Sequence, residues 1–186
     1  MADYALEPRP LDEADSDWVD RFACGEEWWS REVTDFLRHA ALEHGKQGFN
    51  GTTLFSFPGY REIVGFLTVA GATLQTATVA EILQLPLGVP QRFPAILIPY
   101  MGVARGYRGV GHFGQEMHTQ LLDSLRGQWA ATRVVYLECW EDNEDGIRFW
   151  EKRGYTTFHR FQADKPDGTG KAWLRRMLLD RFALAA

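Results

Sequence analysis

Cysteine is scarce in this 186-residue chain, which holds only Cys24 and Cys139. The two residues lie far apart and lack the short spacing of metal ligands, so we expect no metal site. Isolated cysteines of this kind are typical of reduced, buried thiols that behave as small apolar side chains. The cysteine content therefore predicts neither a zinc site nor a disulfide framework.

Long hydrophobic runs are also missing from the chain. No apolar stretch approaches the roughly 20 residues that a membrane-spanning helix needs, so we expect no membrane partner. The opening segment, MADYALEPRPLDEADSD, is acidic and lacks the basic and then apolar pattern of a secretory signal. These absences favour a cytoplasmic protein.

Positive charge is in deficit, with 20 lysines and arginines against 25 aspartates and glutamates and a net charge of −5. Phosphate contacts supply most of the sequence-independent affinity of proteins for nucleic acid. This balance therefore argues against a large nucleic-acid footprint, although it permits a local basic patch. The length and the hydrophobic fraction of 45% suit one domain over residues 1–186.

The segments that are present alternate between strand and helix patterns. Strands are predicted in YALEPRPL, TTLFSF, EIVGFLTVAGATLQ, AILIPYMGV, RVVYLEC, YTTFHRF and KAWLRRMLL. Helices are predicted in DSDWVDRFACG, SREVTDFLRHAALEHG, TVAEILQLP, FGQEMHTQLLDSLRGQWAA and NEDGIRFWEKRG. Ser30 is the expected N-cap of the second helix and Gly45 its expected end. Together these patterns predict one α/β domain with a mixed sheet.

The segment RGYRGVGHFG, residues 105–114, separates an apolar strand from an amphipathic helix. Glycines at such a junction let backbone N–H groups point into a common space, and the helix N-terminus adds a partial positive charge. The sequence therefore predicts a phosphate-binding loop here. The absence of lysine from the segment excludes a Walker A loop. The spacing of Gly109, Gly111 and Gly114 fits a dinucleotide fingerprint, but a hairpin precedes it rather than a βαβ unit.

Two motifs give this segment a more specific meaning. MGVARGYRGVGHFGQEMHTQLL resembles the acyl-CoA-binding motif of the GNAT superfamily of N-acetyltransferases, a strand followed by Arg/Gln-x-x-Gly-x-Gly/Ala and a helix. Val103 matches the strand end, Arg108 the Arg/Gln and Gly111 the central glycine. NEDGIRFWEKRGY resembles the second motif, in which Asn143 opens a helix and Gly154 begins the closing glycine–aromatic pair.

The resemblance implies a single-domain GNAT fold, with a mixed, mostly antiparallel central sheet flanked by helices and two splayed central strands. It also implies acetyl-CoA as co-substrate. The backbone of Met101 and Val103 would bind pantetheine, Arg105 would reach the 3′-phosphate, and Asn143 would complete the cofactor-binding set. The diphosphate would be held by the N–H groups of Arg108, Gly109, Val110, Gly111, His112, Phe113 and Gly114.

Catalysis in this family is the direct attack of an amine on the acetyl thioester in a ternary complex. Glu138 is the first candidate for the general base because its predicted strand lies just before Asn143; a solvent-facing strand carboxylate is the alternative. Tyr100 is the second candidate because Pro99 disturbs the strand beside it; a core tyrosine is the alternative.

Two positions depart from the family pattern. Phe113 stands where the first motif has glycine or alanine, so its side chain must turn away from the diphosphate or the loop must be one residue longer. Trp150 stands where many members have a tyrosine that protonates the leaving thiolate. Because indole offers only a weak N–H donor, another group or solvent must take that role.

The first half of the chain bears a finer resemblance to the GNAT toxins of bacterial toxin–antitoxin pairs, which acetylate aminoacyl-tRNA. It rests on RFACGEEWWSREVTDFLRHAA and VGFLTVAGATL. The net acidic charge and Trp150 differ from that subgroup. A small-molecule or peptide amine is therefore the first expectation for the acceptor and tRNA the second. A non-catalytic acyl-CoA-binding module is the third hypothesis, and a homodimer is compatible with the resemblance.

Overall fold

The structure is a computed structural model that describes residues 5–86, 88–128 and 132–181. The strands, in chain order, are β1 (Glu7–Pro10), β2 (Gly51–Ser56), β3 (Gly65–Gln75), β4 (Arg92–Ile98), β5 (Met101–Val103), β6 (Val134–Trp140), β7 (Thr156–Asp164) and β8 (Lys171–Asp180). The α-helices are α1 (Ser16–Arg21), α2 (Trp28–His39), α3 (Ala41–Lys46), α4 (Thr76–Val79), α5 (Phe113–Gln128) and α6 (Glu144–Glu151). Short 3₁₀ turns cover Glu13–Asp15 and Arg105–Tyr107.

The chain forms two compact units. The first takes its described residues from Met1–Val69 and Tyr100–Trp129, and the second from Ala70–Pro99 and Ala130–Ala186. Strand β3 begins in the first unit and ends in the second. The expectation of a single domain over residues 1–186 stays a prediction.

The first unit combines antiparallel strands with helices α1, α2, α3 and α5. Strand β1 pairs with β2, β2 with the first half of β3, and that half of β3 with β5. Its apolar core lies between the strands and the first three helices and consists of Val19, Phe22, Cys24, Phe36, Leu37, Ala41, Leu54, Ile63 and Phe66. Each large side chain buried there contributes about 1.5–3 kcal/mol, so this unit holds the functional segments on a packed base.

Helix α2 begins three residues earlier than the sequence predicts. Glu27 occupies the N-cap position, and Ser30 lies inside the helix, only 1% exposed. The Ser30 carbonyl accepts a hydrogen bond from the Thr34 hydroxyl at 2.9 Å. The expected N-cap at Ser30 is therefore wrong, because this serine faces the core. The predicted helix to Gly45 is also interrupted at Ala40, which leaves the helical region with φ −127°.

In the sequence of helix α5 and the residue after it, apolar residues recur at a spacing of four and predict a buried stripe of Phe113, Met117, Leu121, Leu125 and Trp129. Met117, Leu121 and Leu125 are buried, while Trp129, the last expected member, lies outside the described residues. His118 is 5% exposed, although a polar residue on a helix is normally expected at the surface. It lies three and seven residues before Leu121 and Leu125 and so shares their buried face. Among the described residues, no helix combines the length and apolarity needed to cross a membrane.

The second unit is built on strands β4, β6, β8 and β7 with the second half of β3. Strand β4 pairs in parallel with β6, and β3–β4, β6–β8 and β7–β8 are antiparallel. Its core contains Leu74, Val79, Leu83, Ala95, Val134 and Leu178. Of the seven strand pairs among the described residues, one is parallel. The prediction of a mixed, mostly antiparallel sheet with helices is confirmed.

Candidate active site

The glycine loop, residues 108–114, connects β5 and the following 3₁₀ turn to helix α5. Gly109 and Gly111 have φ values of 69° and 70°, in the left-handed region that glycine adopts at little cost. A Cβ at Gly109 would meet nothing within 4 Å, so open space adjoins the loop. Left-handed residues within such a turn form concavities lined by N–H groups, which bind anions.

Helix α5 strengthens this anion site. The His112 carbonyl accepts the first helical hydrogen bond, from the Glu116 N–H at 2.9 Å. The N–H groups of Phe113 and Gly114 therefore lie in the first turn, where no intrahelical acceptor exists. A helix of 16 residues adds the partial positive charge of its N-terminus. The predicted diphosphate residues are thus contiguous at the start of a long helix, and the residues present fit a diphosphate group.

Strand β5 offers a free edge beside the loop. Among the described strands, its pairing is with β3, at Leu67 opposite Met101 and Gly65 opposite Val103. The Tyr100 carbonyl accepts a hydrogen bond from the Thr68 N–H of β3 at 2.9 Å, and the Ala104 N–H donates to the carbonyl of Val64, just before β3, at 2.8 Å. Backbone groups alternate in direction along a strand, so those of Met101 and Val103 point away from β3. This orientation is the one that a strand-like ligand requires.

Both arginines assigned to phosphate groups are ion-paired in this structure. Arg105 contacts the carboxylate of Glu26, and Arg108 lies 3.7 Å from that of Glu27. The Arg108 guanidinium also donates to the Ser30 hydroxyl at 3.3 Å. The Arg105 N–H donates to the Ala23 carbonyl at 2.8 Å, which binds the segment before α2 to the residues before the glycine loop.

Sequence reasoning missed these two glutamates as partners of the loop. Glu26 precedes Arg105 by 79 residues and Glu27 precedes Arg108 by 81, so no local spacing links them. The adjacent Gly25 is a local signal: a Cβ there would lie 2.4 Å from the Glu27 carboxylate and 2.9 Å from the Arg108 guanidinium. Glycine at position 25 therefore makes room for the ion pair.

Tyr100 belongs to the aromatic packing of the first unit. Its ring stacks on Phe36 with 3.8 Å between centroids and 13° between planes. Burial, followed by the negative charge of Glu32, raises the pKa of Tyr100 above its ordinary value. Its hydroxyl is thus kept protonated at neutral pH and can act as a hydrogen-bond donor. A catalytic role for Tyr100 stays a prediction.

Glu138 lies in the second unit, at the point where β6 loses one neighbour. The β4–β6 pairing ends at Ile98 and Leu137, and Glu138 is the next residue of β6. Its carboxylate accepts a hydrogen bond from Arg176 at 2.6 Å, and that guanidinium lies 4.7 Å over the Phe161 ring. The strand position is the one expected for a general base, but the carboxylate has a cation as its partner.

Asn143 caps helix α6, as the second motif predicts. Its side-chain oxygen accepts a hydrogen bond from the Gly146 N–H at 3.0 Å. A Cβ at Gly146 would lie 2.4 Å from that side chain, so the cap requires glycine at position 146. Its cofactor-binding role stays a prediction beside this structural one.

Trp150 is a core residue of the second unit. It is 7% exposed, with 4.8 Å between its ring and that of Phe149 and 5.0 Å between its ring and that of Tyr155. The indole ring therefore packs in the core of this unit. Burial also raises the pKa of the Tyr155 hydroxyl strongly.

The cysteines are buried thiols, as expected. Burial raises the pKa of Cys24 to about 11 and that of Cys139 to about 12, so both stay protonated near neutral pH. Within the described residues, no group of three or more His, Cys, Asp or Glu side chains could hold a metal ion.

Comparison with known families identifies the class of protein. The glycine loop, the free strand edge and the mixed sheet define an acyltransferase architecture, and the sequence model of the acetyltransferase (GNAT) family matches residues 18–155. The chain belongs to the acetyltransferase (GNAT) family. Among curated proteins, no sequence matches it.

Solved structures share the fold at low sequence identity. AtaT complexed with acetyl-methionyl-tRNAfMet is 14% identical, with a TM-score of 0.72 and 97% of each chain covered. A mutant AtaT toxin bound to the C-terminus of the antitoxin AtaR and acetyl-CoA is 13% identical, with a TM-score of 0.68 over 97% of this chain and 96% of that one. NAA60 of Arabidopsis thaliana in complex with acetyl-CoA is 16% identical, with a TM-score of 0.65 over 95% of this chain and 99% of that one. The predictions of a GNAT fold and a GNAT enzyme are confirmed, and the acetyl-CoA in two of these structures agrees with the expected co-substrate.

Proposed function

We propose that this acetyltransferase binds acetyl-CoA along β5 and the glycine loop and passes the acetyl group directly to a primary amine bound at the same time. One observation carries the proposal: the outward backbone of Met101 and Val103 leads, within one stretch of chain, to the N–H groups at the start of α5. The strand edge matches the amide groups of pantetheine, and the loop matches the diphosphate that follows them.

The reaction that we propose is a direct transfer between two reactants bound at the same time. The amine nitrogen attacks the thioester carbonyl carbon, a C–N bond forms, and the C–S bond breaks to release coenzyme A as thiol after protonation. Holding both reactants at near-attack distance supplies most of the acceleration, and a backbone N–H of β5 polarises the carbonyl. We assign removal of the ammonium proton to Glu138, directly or through water, and a hydrogen bond toward the acetyl group to Tyr100.

The acceptor has two candidates. A small-molecule or peptide amine fits the net charge of −5. An aminoacyl-tRNA is favoured by the charge distribution and by the tRNA conjugate bound to AtaT. Residues 1–70 hold thirteen aspartates and glutamates against six lysines and arginines, whereas residues 150–181 hold eight lysines and arginines against four acidic residues. The basic end of the chain is the candidate surface for tRNA phosphates, which would have to compete with Glu141 for Arg160 and Arg175.

A thiol-release assay tests the proposal and separates the acceptors. The protein with acetyl-CoA is offered free amines and amino acids, peptides, or aminoacyl-tRNA, and free thiol is measured over time. Transfer to any arm supports the acetyltransferase proposal, and the arm with the highest kcat/KM identifies the acceptor. Binding of acetyl-CoA without turnover on any arm would favour the non-catalytic module. Turnover on tRNA that falls steeply between 50 and 200 mM salt would support phosphate contacts. A cytoplasmic location and a homodimer stay predictions.

A further inference from the structure

Three aromatic rings enclose the base of the glycine loop. Phe57 follows β2, Tyr107 is the last residue of the 3₁₀ turn, and Phe113 is the first residue of α5. The ring centroids are 5.6 Å apart for Phe57–Tyr107, 5.5 Å for Phe57–Phe113 and 5.8 Å for Tyr107–Phe113. All three pairs are edge-to-face, at 72°, 77° and 88°. We call these residues the aromatic triad.

The triad joins the two sides of residues 108–112, the part of the glycine loop that precedes helix α5. Tyr107 immediately precedes residues 108–112 and Phe113 immediately follows them, so their contact joins the two ends of the flexible segment. Phe57 comes from a different part of the chain and packs against both rings. The Phe113 ring also lies beside the loop backbone: a Cβ at Gly111 would be 3.2 Å from the ring.

We propose that Phe57, Tyr107 and Phe113 are positioning residues for the diphosphate of acetyl-CoA, and that Phe113 serves this role in place of the small residue of the family motif. This inference rests on the proposed function, since it assumes that the glycine loop binds the diphosphate. The triad does not touch the reacting atoms. It acts through the backbone of the loop.

The physical reason is the flexibility of a loop rich in glycine. Gly109 and Gly111 populate many backbone conformations, and a ligand that must order them loses affinity to that entropy. Rings packed edge-to-face at the two loop ends restrict the free protein to the conformation in which the N–H groups converge. Binding then requires less ordering, which raises affinity without a new contact to the ligand.

An alternative role for the Phe113 ring, obstruction of the diphosphate, predicts the opposite change in acetyl-CoA affinity. If the Phe113 ring obstructed the diphosphate, Phe113→Ala, which restores the small residue of the motif, would tighten acetyl-CoA binding. Because the triad orders the loop, we expect Phe113→Ala to weaken acetyl-CoA binding. The sign of the change in Kd for this one variant therefore separates a positioning ring from an obstructing one.

The test compares two ligands on four further variants by titration calorimetry. Acetyl-CoA carries the diphosphate, and acetyl-pantetheine lacks it. Phe57→Leu and Phe113→Leu remove one ring each. We expect each variant to weaken the binding of acetyl-CoA about three- to tenfold and to leave the binding of acetyl-pantetheine unchanged. Tyr107→Leu removes the third ring, and we expect the same loss of acetyl-CoA binding. Phe49→Leu, a matched change at a residue that is 64% exposed, is the control.

Each outcome decides the question. A loss specific to acetyl-CoA in Phe57→Leu, Tyr107→Leu and Phe113→Leu, but not in Phe49→Leu, supports the triad. Unchanged or tighter acetyl-CoA binding, or an equal loss for both ligands, would overturn it, since general damage to the fold has no preference for the diphosphate. If Phe113→Leu does not fold, Phe57→Leu carries the same test with α5 intact. No binding of acetyl-CoA to wild type would overturn the proposed function and this inference together, whereas a failure of the variants alone would overturn only the inference.

Discussion

The Arg108 guanidinium lies 3.7 Å from the Glu27 carboxylate and 3.3 Å from the Ser30 hydroxyl, both at the start of helix α2. The cation of the glycine loop therefore already has an anionic partner within its own unit. A diphosphate bound at the loop would compete with Glu27 for Arg108, because opposite charges at this range attract and like charges repel.

The first prediction follows from that competition. Glu27→Gln should tighten acetyl-CoA binding about threefold, because the diphosphate would no longer meet a neighbouring carboxylate and Arg108 would be free to turn toward it. Calorimetry at low and high salt measures the effect, which should shrink as salt screens it. Glu43→Gln on α3 is the matched control. Weaker binding in Glu27→Gln would instead show that the glutamate holds Arg108 in its binding position.

The second prediction concerns Gly111. Gly111→Asp should abolish acetyl-CoA binding, since it places a side chain and a negative charge where the diphosphate is expected. It should also cost about 1–2 kcal/mol of the free energy of unfolding, because φ is 70° at this residue. The control is Gly71→Asp on β3, where a Cβ meets nothing within 4 Å. Unchanged affinity in a folded Gly111→Asp protein would contradict the assignment of the loop.

The third prediction separates packing from chemistry at Trp150. Trp150→Phe should lower the free energy of unfolding by about 1–3 kcal/mol, because it removes volume from a site packed between Phe149 and Tyr155. Turnover should stay within about tenfold of wild type, because no acid is lost. Urea denaturation and steady-state kinetics measure the two quantities. A thousandfold loss of turnover in a folded variant would show that the indole acts in the reaction.

The fourth prediction tests Glu138 as general base. Glu138→Gln should lower turnover and flatten the acidic limb of the rate–pH profile, because glutamine cannot titrate, and acetyl-CoA affinity should not change. Arg176→Gln is an informative companion, since it removes the cation 2.6 Å from the carboxylate and leaves the carboxylate in place. Full turnover with an unchanged acidic limb in Glu138→Gln would show that Glu138 is not the general base but a strand carboxylate paired with Arg176. Tyr100 or an ordered water would then be the next candidate.

The fifth prediction is a pH dependence of stability. Glu141 accepts hydrogen bonds from Arg160 at 2.5 Å and from Arg175 at 3.0 Å, and the Arg160 bond above all lowers the pKa of this carboxyl below its ordinary value of 4.5. A carboxyl whose pKa is lower in the folded state stabilises the fold above its unfolded pKa and loses that contribution as pH falls through the folded value. Glu141→Gln should therefore be less stable than wild type at pH 7 and approach it at acidic pH. A gap that is constant with pH, measured by urea denaturation, would assign the effect to packing.

Local patterns predicted most elements because their causes are local, although AILIPYMGV, predicted as one strand, forms the two strands β4 and β5. The cap at Asn143 and the hairpin of β2 and β3 depend on neighbouring residues and were confirmed. Ser30 was misplaced and the burial of His118 was not predicted, because burial depends on partners distant in sequence and the sequence does not show which face of a helix a polar residue occupies. The pairing of Glu27 with Arg108 could not be predicted for the same reason.

The main-chain character of the glycine loop has a consequence for sequence drift. A concavity lined by N–H groups has no side chain that encodes it, so most of its positions can change identity without altering the groups presented to an anion. Val110, 59% exposed, is such a position. Gly109 and Gly111 are not, because their left-handed backbone excludes nearly every other residue. Selection on this surface is therefore expected to act on the two glycines and on the rings that support them more strongly than on Val110.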